Sequence, residues 1–432
     1  MIPAADPRCL KKFAMTDTDM PIRVNNERSH LPTILALAIV ARVVFAVFVL
    51  RAGSTSAPIT SWNYEDVFIA ISLINGHGYS SPFHFPSGPT ALLAPGYPFL
   101  IAAIIRFTGT GRLAVFVLIG FQIFLSILII PLIVWLARRY FGIRAANLAG
   151  FVYAISEPML VLPLYIWDTC LSALLLMAAI AFASCPRWKS KSYSLACGAG
   201  CAIATLVNPT LLPSLCSVFG WSAWRSRVVP WLAALTFLLV LSPWPIRNFK
   251  VMHSFIPFRS TINYELWEGN HPGGDGNVSE DASPLASPRE RELFLENGEV
   301  GYMRLKGSLA RAYISTHKAE FLKLSLKRVV RFWTGSSVSP APMTVMLSLL
   351  AFFGLALAWR RGRKIALFAL PIVIYPLPFY ITHANARYQF VIDPLLAILA
   401  GYACECFFAF IDRRPRSAPA ISLQQTPDQS SA

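Results

Sequence analysis

Long apolar runs alternate with short basic clusters along most of this chain, and the two patterns together set its architecture. Runs over 31–50, 113–136, 145–163, 166–184, 193–207, 209–223, 228–246, 342–359, 363–381 and 388–411 approach or reach the ~20 apolar residues that a membrane-crossing helix needs. An eleventh run, 91–107, carries Pro95 and Pro98 near its start and suits a helix lying at the interface. The pattern predicts an all-α polytopic membrane protein of about ten spans.

The basic clusters orient those spans. With a cytoplasmic N-terminus and 91–107 not crossing, five clusters face the cytosol: 138–144, 187–191, 225–227, 360–364 and 413–416. Were 91–107 a span, all five would move outside. The chain then divides into a cytoplasmic tail (1–30), an N-terminal membrane module (31–246) with a first outer loop (51–112), a second outer loop (247–341), C-terminal spans (342–411) and a disordered cytoplasmic tail (412–432). In the second loop, 269–284 is rich in Gly, Asp, Asn, Ser and Pro and reads as irregular. From Arg289 to Trp333 the pattern turns helical and amphipathic, as in helices resting on a membrane.

Composition agrees: of 432 residues, 55% are hydrophobic and only 14% charged. The formal net charge of +16 lies in clusters between apolar runs, which points to membrane lipids as the partner and away from nucleic acid. None of the eight cysteines falls in 51–112 or 247–341, so no disulfide framework is expected. Cys197 with Cys201 and Cys404 with Cys406 read as helix-packing residues, since no His or acid accompanies them at ligand spacing. The polar first thirty residues give no cleavable signal, so the first span is expected to stay as an anchor.

Candidate chemistry collects at the outer span ends. Glu65 and Asp66 precede the breaker 75–79; a carboxylate there serves as a general base, or more blandly as a solvated acid at a helix N-terminus. Asp168 stands at the outer end of a span among apolar neighbours, where it is either functional or the N-cap of the next helix. Arg247, with Lys250, His253 and Arg259 behind it, suits a phosphate or diphosphate, or else interfacial snorkelling beside Trp244. His383, Arg387, Tyr388 and Asp393 sit at the outer start of the last span. Arg42 lies midway along the first span and should face the bundle interior and find a partner there. No nucleotide-binding loop, zinc motif or serine-hydrolase elbow occurs, which leaves an ATP-driven pump unsupported.

In order along the chain, the segments "NYEDVFIAISLINGHGYSSP", "GPTALLAPGYPFL", "IWDTCLSALLL", "LVNPTLLP", "LSPWPIRNFKVMHSFIPFRSTINYELWEGN", "GEVGYM" and "HANARYQFVIDP" resemble the GT-C superfamily of integral-membrane glycosyltransferases. The superfamily includes protein O-mannosyltransferases and lipid A aminoarabinose transferases, and the chain looks closest to its bacterial protein-mannosyltransferase-like and RgtA/B/C/D-like branch. The resemblance implies a GT-C-like helical bundle, set in a bacterial inner (plasma) membrane with its active site on the outer, periplasmic face. It implies transfer, usually with inversion, of a hexosyl or pentosyl group from a polyprenyl-phosphate-linked sugar to a lipid, glycan or protein acceptor. By the same resemblance Glu65 or Asp66 is the base, and Asp168 positions the acceptor or the base. Arg247, Arg259 and Arg387 bind the donor phosphate, with His383 and Tyr97 nearby. Some members use a divalent metal, which leaves one open here, with no ligand set to name. Where the superfamily often has Arg-Pro, this chain has Asn208-Pro209, so no charge is expected at that turn. Two rival readings compete: a flippase or transporter of a lipid-linked glycan, whose charges would line a passage, and a non-catalytic envelope assembly subunit.

Overall fold

A computed structural model of the protein describes residues 28–51, 63–277, 282–335 and 341–412. The expected tails fall almost wholly outside the described residues. In chain order the helices are α1 (Leu31–Arg51), α2 (Glu65–Ile74), α3 (Gly96–Thr108), α4 (Arg112–Phe141), α5 (Ile143–Ile155) and α6 (Glu157–Val161). They continue as α7 (Thr169–Ala183), α8 (Lys191–Val207), α9 (Leu212–Arg225), α10 (Trp231–Leu241), α11 (Pro243–Met252) and α12 (Ile262–Gly269). The last six are α13 (Pro288–Thr316), α14 (Lys318–Thr334), α15 (Pro342–Arg360), α16 (Ala366–Ile374), α17 (Leu377–Ile381) and α18 (Asp393–Asp412). Among the described residues strand pairing is limited to two isolated bridges, Ser80 with Pro89 and Asn277 with Ala384.

Every apolar run holds a helix, but their lengths depart from the expected set of about ten spans. Among the described residues five helices are long and apolar enough to cross a membrane: α1, α4, α10 continued into α11, α15 and α18. A sixth qualifies if α5 and the segment Glu157–Leu164, bent by 55°, count as one span. The remaining runs yield shorter helices. Asn208-Pro209 stops α8, and Pro376 separates α16 from α17 in the penultimate run, because proline lacks the amide that would continue the ladder; Pro371 lies inside α16. The run at 91–107 becomes the 13-residue α3, too short to cross alone, with Tyr97, Ile101 and Ile105 buried.

The bundle closes through small residues. A Cβ on Gly354 of α15 would collide with the Leu399 carbonyl of α18, and one on Gly401 with the backbone of Ala145 and Ala149 on α5. Close backbone approach of this kind is how helices associate where lipid offers no hydrophobic drive. Arg42 does point inward. Its Nε donates to Ser126 Oγ at 2.8 Å and Nη1 to the Ala154 carbonyl at 3.0 Å, with the guanidinium 5.9 Å from the Tyr153 ring centre. Carbonyl and hydroxyl oxygens, rather than a carboxylate, meet its charge.

Above the bundle, α2, α3, α12, α13 and α14 form the polar end. As expected, 289–333 is helical, divided between α13 and α14, with a break in α13 at Gly298 (φ 64°) that only glycine adopts without strain. Two charged groups fix the loop 79–94. Arg247 Nη2 donates to the Tyr79 carbonyl and Nη1 to the Thr90 carbonyl, each at 2.6 Å, while its guanidinium lies over the Tyr79 and Trp244 rings. The buried Glu299 accepts from Thr90 Oγ1, from the Ala91 amide at 2.9 Å and from Ser260 Oγ at 2.7 Å.

Candidate active site

A cavity of about 540 Å³ opens where these elements meet the bundle, and distant parts of the chain supply its walls. Glu65 and Asp66 line it from the first turn of α2, where the helix dipole favours negative charge. No side chain caps that helix, so the acids are the polar feature of its start. Asp168 lines the cavity from the N-cap position of α7 but makes no capping hydrogen bond; its Oδ2 accepts from Ser172 Oγ at 3.2 Å instead. Ser172 in turn accepts from Asn208 Nδ2 at 3.1 Å, which ties the uncharged Asn-Pro turn to the acid wall.

The facing wall is mixed. Arg259 pairs with Glu265 at 3.0 Å, and Glu265 also accepts from Thr261 Oγ1 at 3.0 Å. Tyr264 donates to Glu268 at 3.3 Å. His383 Nε2 meets the Tyr388 hydroxyl at 2.5 Å, and its Nδ1 lies 3.5 Å from Glu268 Oε2. Burial, reinforced by Arg387, lowers the His383 pKa to about 4, so the imidazole is neutral at pH 7. A neutral ring at that separation is neither ion-paired nor well hydrogen-bonded to Glu268, and its Nδ1 has no partner among the described residues. Arg387 is held differently: its guanidinium stacks on Trp167, 4.4 Å from the ring centre, and Trp167 stacks on Tyr165 at 4.2 Å.

These surroundings separate the acids. Burial raises Glu65, with Arg387 working against the rise. Asp66 is raised well above its ordinary value, first by burial and then by the charges of Asp168 and Glu65. Burial would raise Glu265 too, but Arg259, the hydrogen bond from Thr261 and Arg387 outweigh it and hold that carboxyl low. The cavity thus holds carboxyls poised to exchange protons opposite a carboxylate locked to an arginine.

Of the residues singled out in the sequence, Glu65, Asp66, Tyr97, Asp168, Arg259, His383 and Arg387 all line this cavity. Tyr97 is buried, its hydroxyl accepting from Gln122 Nε2 at 2.9 Å. Arg247 is not among the lining residues. Two of its nitrogens donate to carbonyls of the loop 79–90, which braces that wall. Asp393 is buried in the first turn of α18 and does not line the cavity either. Sequence reasoning missed Glu265, Glu268, Tyr264 and Trp167. The two glutamates lie three residues apart on one face of α12, a spacing readable in "STINYELWEGN". Among the described residues no three His, Cys, Asp or Glu groups are arranged to hold a metal ion.

No protein-family model matches the chain. No curated protein matches it either. Solved structures do. ArnT from Cupriavidus metallidurans bound to undecaprenyl phosphate is similar at 16% identity and a TM-score of 0.48, over 87% of this chain and 61% of that one. The Archaeoglobus fulgidus oligosaccharyltransferase tethered to an acceptor peptide is similar at 13% identity and 0.47, over 88% of this chain and 49% of that one. The archaeal oligosaccharyltransferase AglB from the same organism, with an inhibitory peptide and a dolichol-phosphate, gives 14% identity and 0.46, over 88% and 50%. This chain therefore spans between about half and three fifths of those proteins' lengths.

Proposed function

We propose that the protein is a membrane glycosyltransferase that moves a sugar from a polyprenyl-phosphate donor to an acceptor hydroxyl or amine, in the cavity between α2, α7, α12 and the segment 383–391 that precedes α18. The observation that carries this reading is the meeting, in one cavity, of the acids Glu65, Asp66 and Asp168 with the guanidiniums of Arg259 and Arg387. Transfer from a sugar phosphate needs a base for the acceptor proton and positive charge where the phosphate departs. In this reading Glu65 or Asp66 takes the acceptor proton and Asp168 orients the acceptor or that base. The acceptor oxygen or nitrogen bonds to the anomeric carbon as the bond from that carbon to the phosphate oxygen breaks, and Arg387 with Arg259 takes up the developing negative charge. The motif order described above supports the same class of chemistry, with the site on the outer face of a bacterial inner membrane and inversion at the anomeric carbon.

The test is to incubate the purified full-length protein in detergent with labelled polyprenyl-phosphate sugars. Sugar transfer or donor hydrolysis is the expected result. Vectorial movement of the lipid in vesicles without cleavage would point to a flippase, and neither activity to an assembly subunit.

A further inference from the structure

Helix α14 presents two unlike apolar surfaces. Leu324, Arg328 and Phe332 are buried on one side, and Leu322, Leu326 and Val330 lie on the other, 60%, 60% and 61% exposed. At 3.6 residues per turn the second set forms a single stripe, with Lys323 and Lys327 along its flank. The buried side is firmly occupied. Arg328 donates to Asn270 Oδ1 at 2.8 Å and to the backbone carbonyls of Gly269 and Gly276. The helix therefore cannot roll to hide its outer stripe without breaking that network.

The depth of the stripe follows from how α14 ends. Ser348 Oγ of α15 donates to the Trp333 carbonyl at 2.9 Å, and the Trp333 ring packs on Phe352 with centres 4.8 Å apart. Helix α15 spans Pro342–Arg360, 19 residues, and is apolar enough to cross the membrane. At about 1.5 Å per residue it just about matches the thickness of a bilayer core, and Ser348 lies roughly 9 Å inside its start. The C-terminal end of α14 is thus moored beside the body of a spanning helix, below its mouth. Val330 lies within a turn of that mooring, and Leu326 and Leu322 lead away from it toward the interface. Lys323 and Lys327 form no ion pair with a carboxylate among the described residues.

We infer that α14 lies in the membrane interface with its Leu322–Leu326–Val330 stripe among acyl chains, and that Lys323 and Lys327 bind the headgroup phosphate of an anionic phospholipid. A zwitterionic headgroup would bring its own cation beside the two lysines, so charge favours the anionic lipid. An interfacial lysine contributes roughly fivefold to such binding.

The test uses full-length protein in nanodiscs of phosphatidylcholine alone or mixed with phosphatidylglycerol. Native mass spectrometry of the mixed discs should show preferential retention of phosphatidylglycerol, falling by about fivefold for each lysine removed in Lys323→Gln and Lys327→Gln. Both substitutions are at exposed positions and leave the Arg328 network untouched. In parallel, acylation of Lys323 and Lys327 by a water-soluble amine reagent should be slower in discs containing phosphatidylglycerol. A retention ratio unchanged by the double substitution, equal acylation in the two lipids, or occlusion of the stripe in a dimer of this chain would each overturn the inference.

Discussion

Arg247 and Arg387 occupy equivalent places in the sequence, each at the end of an apolar run, yet the structure uses them in opposite ways. Arg247 has two nitrogens committed to the carbonyls of Tyr79 and Thr90, outside the cavity. Arg387 lines the cavity, where the faces of Trp167 and Tyr388 and a hydrogen bond with Tyr388 orient its guanidinium without committing most of its five donors. A cation at a membrane boundary becomes a ligand site only where its hydrogen-bonding capacity is left open, and that depends on the loops it meets.

The largest effect should come from exchanging the two. Arg387→Ala is expected to lower transfer about 10²–10³-fold with folding preserved, and Arg387→Lys to recover part, since a point charge lacks the bidentate fork. Arg247→Ala should do the reverse. It strands two carbonyls at a cost of about 1–3 kcal/mol each, read as a lower thermal midpoint in detergent, with turnover per folded molecule nearly unchanged. Equal kinetic losses in both variants would erase the distinction.

On the acid wall, Asp168→Asn removes one of the charges that raise Asp66. Its residual transfer should therefore extend to lower pH than that of the wild type; an acid limb that stays in place or moves up would remove Asp66 from the account. His383 supplies a stability readout on the facing wall. Its folded pKa of about 4 lies below the ordinary histidine value, so the unfolded chain binds the extra proton first as pH falls. Stability should decline from about pH 6.5 toward 4, a slope that His383→Gln should flatten in pH-dependent unfolding. The smallest effect is expected from Trp167→Leu, which removes the platform under Arg387. A loss of about 0.5–2 kcal/mol should appear as weaker donor binding, measured as a rise in donor KM with kcat little changed.

Much of this was legible from the sequence because it rests on local physics. Apolar length predicted where helices lie, and charge beside apolar residues singled out Glu65, Asp66, Asp168 and Arg387. What the sequence could not convey depends on tertiary partners. The brace around Arg247 needs carbonyls more than 150 residues away in sequence. The number of spans is a similar case. Apolar windows count residues, whereas Pro376 interrupts the run 363–381 between α16 and α17, and several other runs hold shorter helices. Glu265 and Glu268 could have been found from their spacing, but only the fold turns that face of α12 toward the cavity.

The central claim is that acids and guanidiniums from distant segments act on one substrate in one cavity, and the Glu65→Gln/Asp66→Asn double variant tests it most directly. Donor binding and transfer would be measured separately, with labelled polyprenyl-phosphate sugar and the purified protein. The donor should still bind, because Arg259 and Arg387 remain, while transfer falls about 10²–10⁴-fold. Transfer at the wild-type rate with both carboxyls neutralised would contradict it.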